Sequence, residues 1–229
     1  APCMVCAPTR AGLLTGRYQQ TFGFYAFEET LHGIPEDVPM VSERLKDEGY
    51  TTACIGKWHV GYDMSPLDRG FDRFYGFMGG QHDFFDPHLG DPTHGFSFDY
   101  KDADILDQRE PVESIEYLTD ELTKQSINFI QESAEGEKPF CLYLAHAAPH
   151  PPLQSEWEDL KPYAEAKGGN FNSRDIARAM INDMDEGIGR ILDELLYLGI
   201  DDETLVVFTS DNGGHDDMPE LGRNLVQHN

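Results

Sequence analysis

The chain has 229 residues, about the size of one domain, and its 39% hydrophobic and 11% aromatic content is too apolar for a disordered segment. Lysine and arginine number 17 against 42 aspartates and glutamates, and the resulting net charge of −25 argues against nucleic acid or an anionic membrane surface as a partner. No apolar run approaches the ~18 residues of a membrane-spanning helix.

The chain opens at Ala1-Pro2-Cys3 without an initiator methionine or a charged-then-apolar leader, and it stops at Asn229 soon after a Gly-rich turn. It therefore reads as a piece of a domain, truncated at both ends. Four cysteines (Cys3, Cys6, Cys54, Cys141) are too few for a disulfide scaffold. Cys54 and Cys141 lie in apolar, strand-like runs and read as buried, inert thiols. Cys3 and Cys6 have CxxC spacing, which is half a zinc site or a redox pair; His146 and His150 offer only a loose second half.

Pro8 fits a first helical turn, Leu13 and Leu14 supply an apolar face, and Gly16 supplies a stop. Cys6 then sits just before a helix N-terminus, where free N–H groups favour an anion, with the planar guanidinium of Arg10 on the same turn. An ordinary buried cysteine before a short helix fits these residues equally well. Met40 to Glu48 predicts a short helix stopped by Gly49, and Tyr50 to Ile55 a strand. The stretch 62–117 reads as a loop-rich excursion near the site, its many aromatics mostly packed on the sheet and Gln81 to Asp86 its exposed tip.

Thr119 to Ser133 predicts a second helix, and Pro139 to Ala145 the strand PFCLYLA. Ser173 to Leu198 carries Ile176, Met180, Met184, Ile188, Ile191, Leu195 and Leu198 at steps of three or four, the helical period, closed by Gly199. Thr204 to Thr209 (TLVVFT) predicts the next strand. Apolar, β-branched runs alternating with amphipathic helices predict an α/β fold, a mainly parallel sheet sandwiched by helices. Ligands of such sheets bind beyond the carboxyl ends of the strands. Those ends read Gly56-Lys57-Trp58-His59, His146-Ala147-Ala148-Pro149-His150 and Ser210-Asp211-Asn212-Gly213-Gly214-His215. Three strands thus deliver a cation, several imidazoles, a carboxylate and an amide to one rim.

Cys6-x-Pro8-x-Arg10 followed by Leu14-Thr15-Gly16 resembles the signature of the sulfatases, with Thr9 where the family usually has serine. Gly49-Tyr50-x-Thr52 through Gly56-Lys57-x-His59 resembles the family's second signature. Gly70-Phe71-Asp72 with Tyr75-Gly76, then Ala148-Pro149-His150 and Ser210-Asp211-Asn212-Gly213, are similar in kind and order. The resemblance implies the alkaline phosphatase-like fold and a sulfuric ester hydrolase acting on a sulfated carbohydrate or aryl sulfate.

It further implies that Cys6 is oxidised by a maturation enzyme to formylglycine, whose hydrate attacks sulfur. A plain thiol lacks the second hydroxyl that expels sulfate. Arg10 would hold the hydrate, Lys57 the sulfate oxygens, His59 the proton of the elimination step, and His150 the leaving alcohol. Asp211 and Asn212, with residue 6, resemble ligands of calcium or magnesium. The resemblance places a first strand bearing two metal-binding aspartates before Ala1, and a sulfate-binding lysine and a smaller C-terminal subdomain after Asn229. It also implies a periplasmic or secreted location. A phosphonate or phosphate monoester hydrolase of the same superfamily, and a non-catalytic sulfoglycan-binding fragment in which Cys6 stays a thiol, are the rival readings.

Overall fold

In the computed structural model, residues 3–90, 104–214 and 226–227 are described. Helix α1 spans Cys6–Thr15 and α2 Val41–Asp47; β1 follows at Thr51–Lys57 and β2 at Arg73–Phe77. Two short strands, β3 (Leu106–Asp107) and β4 (Glu110–Pro111), lead to α3 (Leu118–Ala134) and β5 (Phe140–Ala145). Then come β6 (Ser155–Glu156), α4 (Trp157–Glu165), α5 (Ser173–Leu198) and β7 (Val226–Gln227).

The main sheet has the order β4-β3-β2-β1-β5, parallel across β2-β1-β5 and antiparallel at β3 and β4. Strand β6 pairs in parallel with β7 in a separate two-stranded sheet. Side-chain alternation builds two cores from the main sheet. Ala53, Ile55, Tyr75 and Phe77 pack with α3, α4 and α5. Cys54 and Phe74 face the other way, onto Ala7, Ala11 and Leu14 of α1 and onto Met40. The sheet is therefore covered on both faces, as its continuous apolar strands require.

Local signals explain most boundaries. Asn172 caps α5 by accepting from the backbone N–H groups of Arg174 and Asp175, and Gly199 ends it in the left-handed region at φ 69°. Thr123 of α3 lies against Gly187 of α5, where a Cβ would collide with its hydroxyl. At the sheet centre Gly76, Gly56 and Ala145 share one register level. A Cβ on Gly56, whose φ is 104°, would meet the Ala145 carbonyl, so the three strands close only because glycine stands there.

Several expectations are corrected. Thr204 to Thr209 forms no strand: Leu205, Val206, Val207 and Phe208 are exposed, and no neighbouring strand among the described residues takes up their backbone bonds. Gln81 to Asp86 is not an exposed tip, because His82 and Phe84 are buried and the rest half-buried. Cys6 is the first residue of α1 rather than the one before it, and Leu13 points outward while Leu14 is buried. Within 62–117, β2 went unpredicted, since five residues interrupted by Gly76 carry little periodicity. Phe71, Phe74, Tyr75, Phe77 and Phe84 of that stretch are buried, as packing aromatics; Phe96, Phe98 and Tyr100 lie outside the described residues.

Candidate active site

Helix α1 and the carboxyl end of β1 build the site together. Cys6 is the first residue of α1, whose N-cap Val5 makes no side-chain hydrogen bond, so it sits at the positive end of the helix dipole. Its Sγ lies 3.3 Å from Nδ1 of His59, just past the end of β1. One turn on, Arg10 projects from the same helix. Its Nη1 donates to the Lys57 carbonyl at 3.0 Å and to the Tyr143 hydroxyl at 3.2 Å. Its Nε and Nη2 both reach Asp211 Oδ2, at 3.1 and 2.9 Å. Burial opposes the guanidinium charge, but Tyr143, Asp211 and Cys6 more than offset it, and the pKa is raised.

Lys57 is 2% exposed. Burial and the Arg10 charge lower its pKa to about 8, against smaller opposing effects of Cys6 and Asp211. His59 is held in a rarely occupied backbone region at φ 58°, its N–H bonded to the Met78 carbonyl at 3.0 Å. The ring of Phe27 stacks on its imidazole at 5.7 Å and 16°. Gly80 lies against the same ring, where a Cβ would sit 2.8 Å from Cε1.

His150 follows β5. Its Nδ1 lies 2.8 Å from the Pro151 carbonyl and therefore carries the proton of the neutral ring. Its pKa is lowered by burial first, then by Lys57 and Arg10. His146 stands apart, both ring nitrogens buried without a hydrogen-bond partner among the described residues and its pKa pushed down to about 4 by desolvation.

Cys6, Arg10, Lys57, His59 and Asp211 are thus brought into one cluster, with His150 in electrostatic reach. Asn212 follows Asp211, its side-chain amide donating to the Gly213 carbonyl at 2.9 Å. Asp211 is an ion-pair partner of Arg10 here. Among the described residues no group of three or more His, Cys, Asp or Glu side chains is arranged to hold a metal. Asp211 and Asn212 are hard oxygen donors that suit calcium or magnesium in kind, and they would account for only two of the ~6–8 oxygens calcium takes. Cys3 and Cys6 are both free thiols. His215 lies outside the described residues, as do His94 and His228.

Three residues of the site were not predicted. Tyr143 is in sequence only one aromatic of an apolar strand, Phe27 carries no motif, and Gly80 matters through the side chain it lacks. Alternation along β5 could have pointed Tyr143 to the Cys54 face, toward α1.

The Sulfatase family model matches residues 1–224. The chain belongs to the sulfatase family. It is 32% identical to the uncharacterized sulfatase YdeN of Escherichia coli strain K12, over 94% of this chain and 40% of that protein. It is 31% identical to N-acetylgalactosamine-6-sulfatase of Mus musculus, over 91% of this chain and 41% of that one. In structure it is similar to Ps i-CgsB, with a TM-score of 0.75 and 31% identity over 86% of this chain and 46% of that one. The same protein has been solved with k-i-k-neocarrahexaose. This sulfatase chain therefore has the expected alkaline phosphatase-like α/β fold, and it spans about 40% of the length of the curated relatives it matches.

Proposed function

We propose that the protein containing this chain hydrolyses a sulfate ester of a carbohydrate, with residue 6, oxidised to formylglycine, as nucleophile. The observation that carries this reading is the 3.3 Å contact of Cys6 with His59 at the mouth of α1, flanked by Arg10 and Lys57. A family relative named for a galactosamine sulfate, and a neighbour solved with a carrageenan oligosaccharide, favour a sulfated sugar over an aryl sulfate.

The aldehyde hydrate would supply two hydroxyls where a thiol supplies one sulfur. His59 Nδ1 already faces that position and takes the proton of whichever hydroxyl it meets. Arg10 is fixed by three partners, so its charge is in place before the substrate arrives. Lys57, buried and cationic below about pH 8, draws sulfate oxygens against the repulsion of a strongly acidic chain.

His150 Nε2 is the outward ring nitrogen, because Nδ1 is held by Pro151. It would protonate the leaving alcohol as the imidazolium, having taken a proton from solvent when the bound anionic ester offsets burial and the Lys57 charge, the leading causes that lower its pKa. A calcium or magnesium ion would be held by Asp211, Asn212 and residue 6, supplying positive charge to the sulfate oxygens. The reading includes a formylglycine maturation enzyme as partner and a periplasmic or secreted location, and no helix is long and apolar enough to cross a membrane among the described residues.

The test is the mass of the peptide containing residue 6, from full-length protein expressed with a maturation enzyme. An aldehyde there, with faster turnover of 4-nitrophenyl sulfate than of an aryl phosphonate, is the expected result. An unmodified thiol beside a control sulfatase that does mature overturns it, and a strong phosphonate preference transfers the site to the rival hydrolase class.

A further inference from the structure

Strands β1 and β2 are parallel and end level, Lys57 opposite Phe77. The chain leaving β2 therefore emerges beside the catalytic cluster, and Gly80 touches the His59 ring there. Three residues further on, within about 11 Å of extended chain, a cavity of about 440 Å³ begins at Asp83. Its near wall is the segment from Asp83 to Leu89 and its far wall Glu113 to Ile115. The far wall is on the same rim because β3 and β4 are antiparallel, Gly76 facing Leu106 and Leu106 facing Pro111, which returns residues 112–115 to the end of β2.

The near wall is built rigidly. Asp83 Oδ1 accepts from the backbone N–H groups of Phe85 and Asp86, both at 2.9 Å, and Oδ2 from Gln154 at 2.7 Å. Gln154 in turn accepts from the Phe84 N–H at 2.8 Å, and Phe85 packs on Tyr117 at 5.1 Å. Leu89 stays half-exposed and Glu113 exposed. His88 is hydrogen-bonded to Asp104 at 2.9 Å, which raises its pKa.

The volume falls within the ~300–1,000 Å³ of small-molecule sites. Leu89, Ile115 and Phe85 offer apolar surface for the C–H face of a ring, and Asp86 and Glu113 offer acceptors for hydroxyl groups. The same two carboxylates repel sulfate. We propose that this cavity is a subsite for an uncharged sugar ring, adjacent in the glycan to the unit whose sulfate reaches residue 6. The ring-binding half rests on the cavity alone, and the place next to the sulfated unit rests on the carbohydrate sulfatase reading.

Two measurements on full-length protein keep those halves separate. Saturation-transfer NMR with a chemically desulfated carrageenan hexasaccharide reads binding without catalysis. Transfer in the parent protein, with affinity at least tenfold weaker in the double variant Glu113→Ala, Leu89→Ala, is expected. No transfer, or transfer unchanged in the variant, overturns the subsite. In kinetics on matured enzyme, the variant is expected to lose at least tenfold in kcat/KM on the sulfated hexasaccharide while 4-nitrophenyl sulfate stays within twofold. Equal losses on both substrates, or none on either, also overturn it. If neither substrate turns over, the function reading fails, and the NMR result alone decides the subsite.

Discussion

Two regions deliver charged groups to one rim, and they are held in opposite ways. Residues 57–59 leave a strand paired on both sides, and His59 is clamped by Met78, Phe27, Gly80 and Cys6. Residues 204–214 are mostly exposed, pair with no strand among the described residues, and reach the site through the Arg10–Asp211 ion pair. The first region is preorganised by the sheet. The second is organised by one buried guanidinium. Catalytic geometry is as reliable as the backbone beneath it, so the two regions should respond differently to mutation.

Arg10→Ala should have the largest effect, since it removes a site charge and the anchor of the second region together. In matured full-length enzyme we expect kcat/KM on 4-nitrophenyl sulfate to fall by about 10²–10³, the scale for removing one preorganised electrostatic group. Faster proteolysis at 204–214 should accompany the loss, and an undiminished rate would show that the second region does not depend on Arg10. Gly80→Ala tests the clamp of the first region. Its new Cβ would lie 2.8 Å from His59 Cε1, so the ring must shift from Cys6. A drop in kcat of about tenfold to a hundredfold with little change in KM is expected.

The pH profile is a third test. Lys57 titrates at about 8 because it is buried beside Arg10, so its charge is lost as pH rises through that value. The sulfatase rate should fall on that alkaline limb. In Arg10→Lys, whose shorter-lived contacts leave Lys57 beside a cation still, the limb should stay within a fraction of a pH unit even as the rate drops.

The smallest effect is expected away from the rim. Asp183 of α5 is buried with Oδ2 unpartnered among the described residues, and desolvation with the Asp120, Asp159, Glu156 and Glu186 carboxylates raises its pKa to about 7. Arg190 is engaged with Asp120 at 2.6 Å instead. A folded pKa above the unfolded value of ~3.9 means stability that is full below about pH 4 and lost as pH rises through 7. Asp183→Asn should therefore stabilise the protein at pH 8 by about 1–2 kcal/mol, after discounting for solvent screening, and do nothing at pH 4. Thermal melts at the two pH values check both halves.

Much of this was legible in the sequence. The helix from Ser173 to Leu198 carries its own period, N-cap and glycine stop, and it is found with those bounds. The cluster of Cys6, Arg10, Lys57, His59 and Asp211 was legible as motifs at the ends of elements. TLVVFT from Thr204 to Thr209 has the composition of a strand and none of its pairing. Tyr143, hydrogen-bonded to Arg10 from 133 residues away, reads in sequence like any strand aromatic.

Hydrogen bonds within a helix join residues four apart, so periodicity and caps suffice to specify it. The chemistry of each site residue is likewise its own, and the sequence by itself determined α1, α2, α3 and α5, the family and the reactive groups, while α4 went unread. A strand is completed only by a neighbour distant along the chain, and a side chain becomes a clamp only by what approaches it. The tertiary structure alone therefore decided that Phe27 and Gly80 hold His59, that Tyr143 holds Arg10, and that residues 205–209 stay exposed.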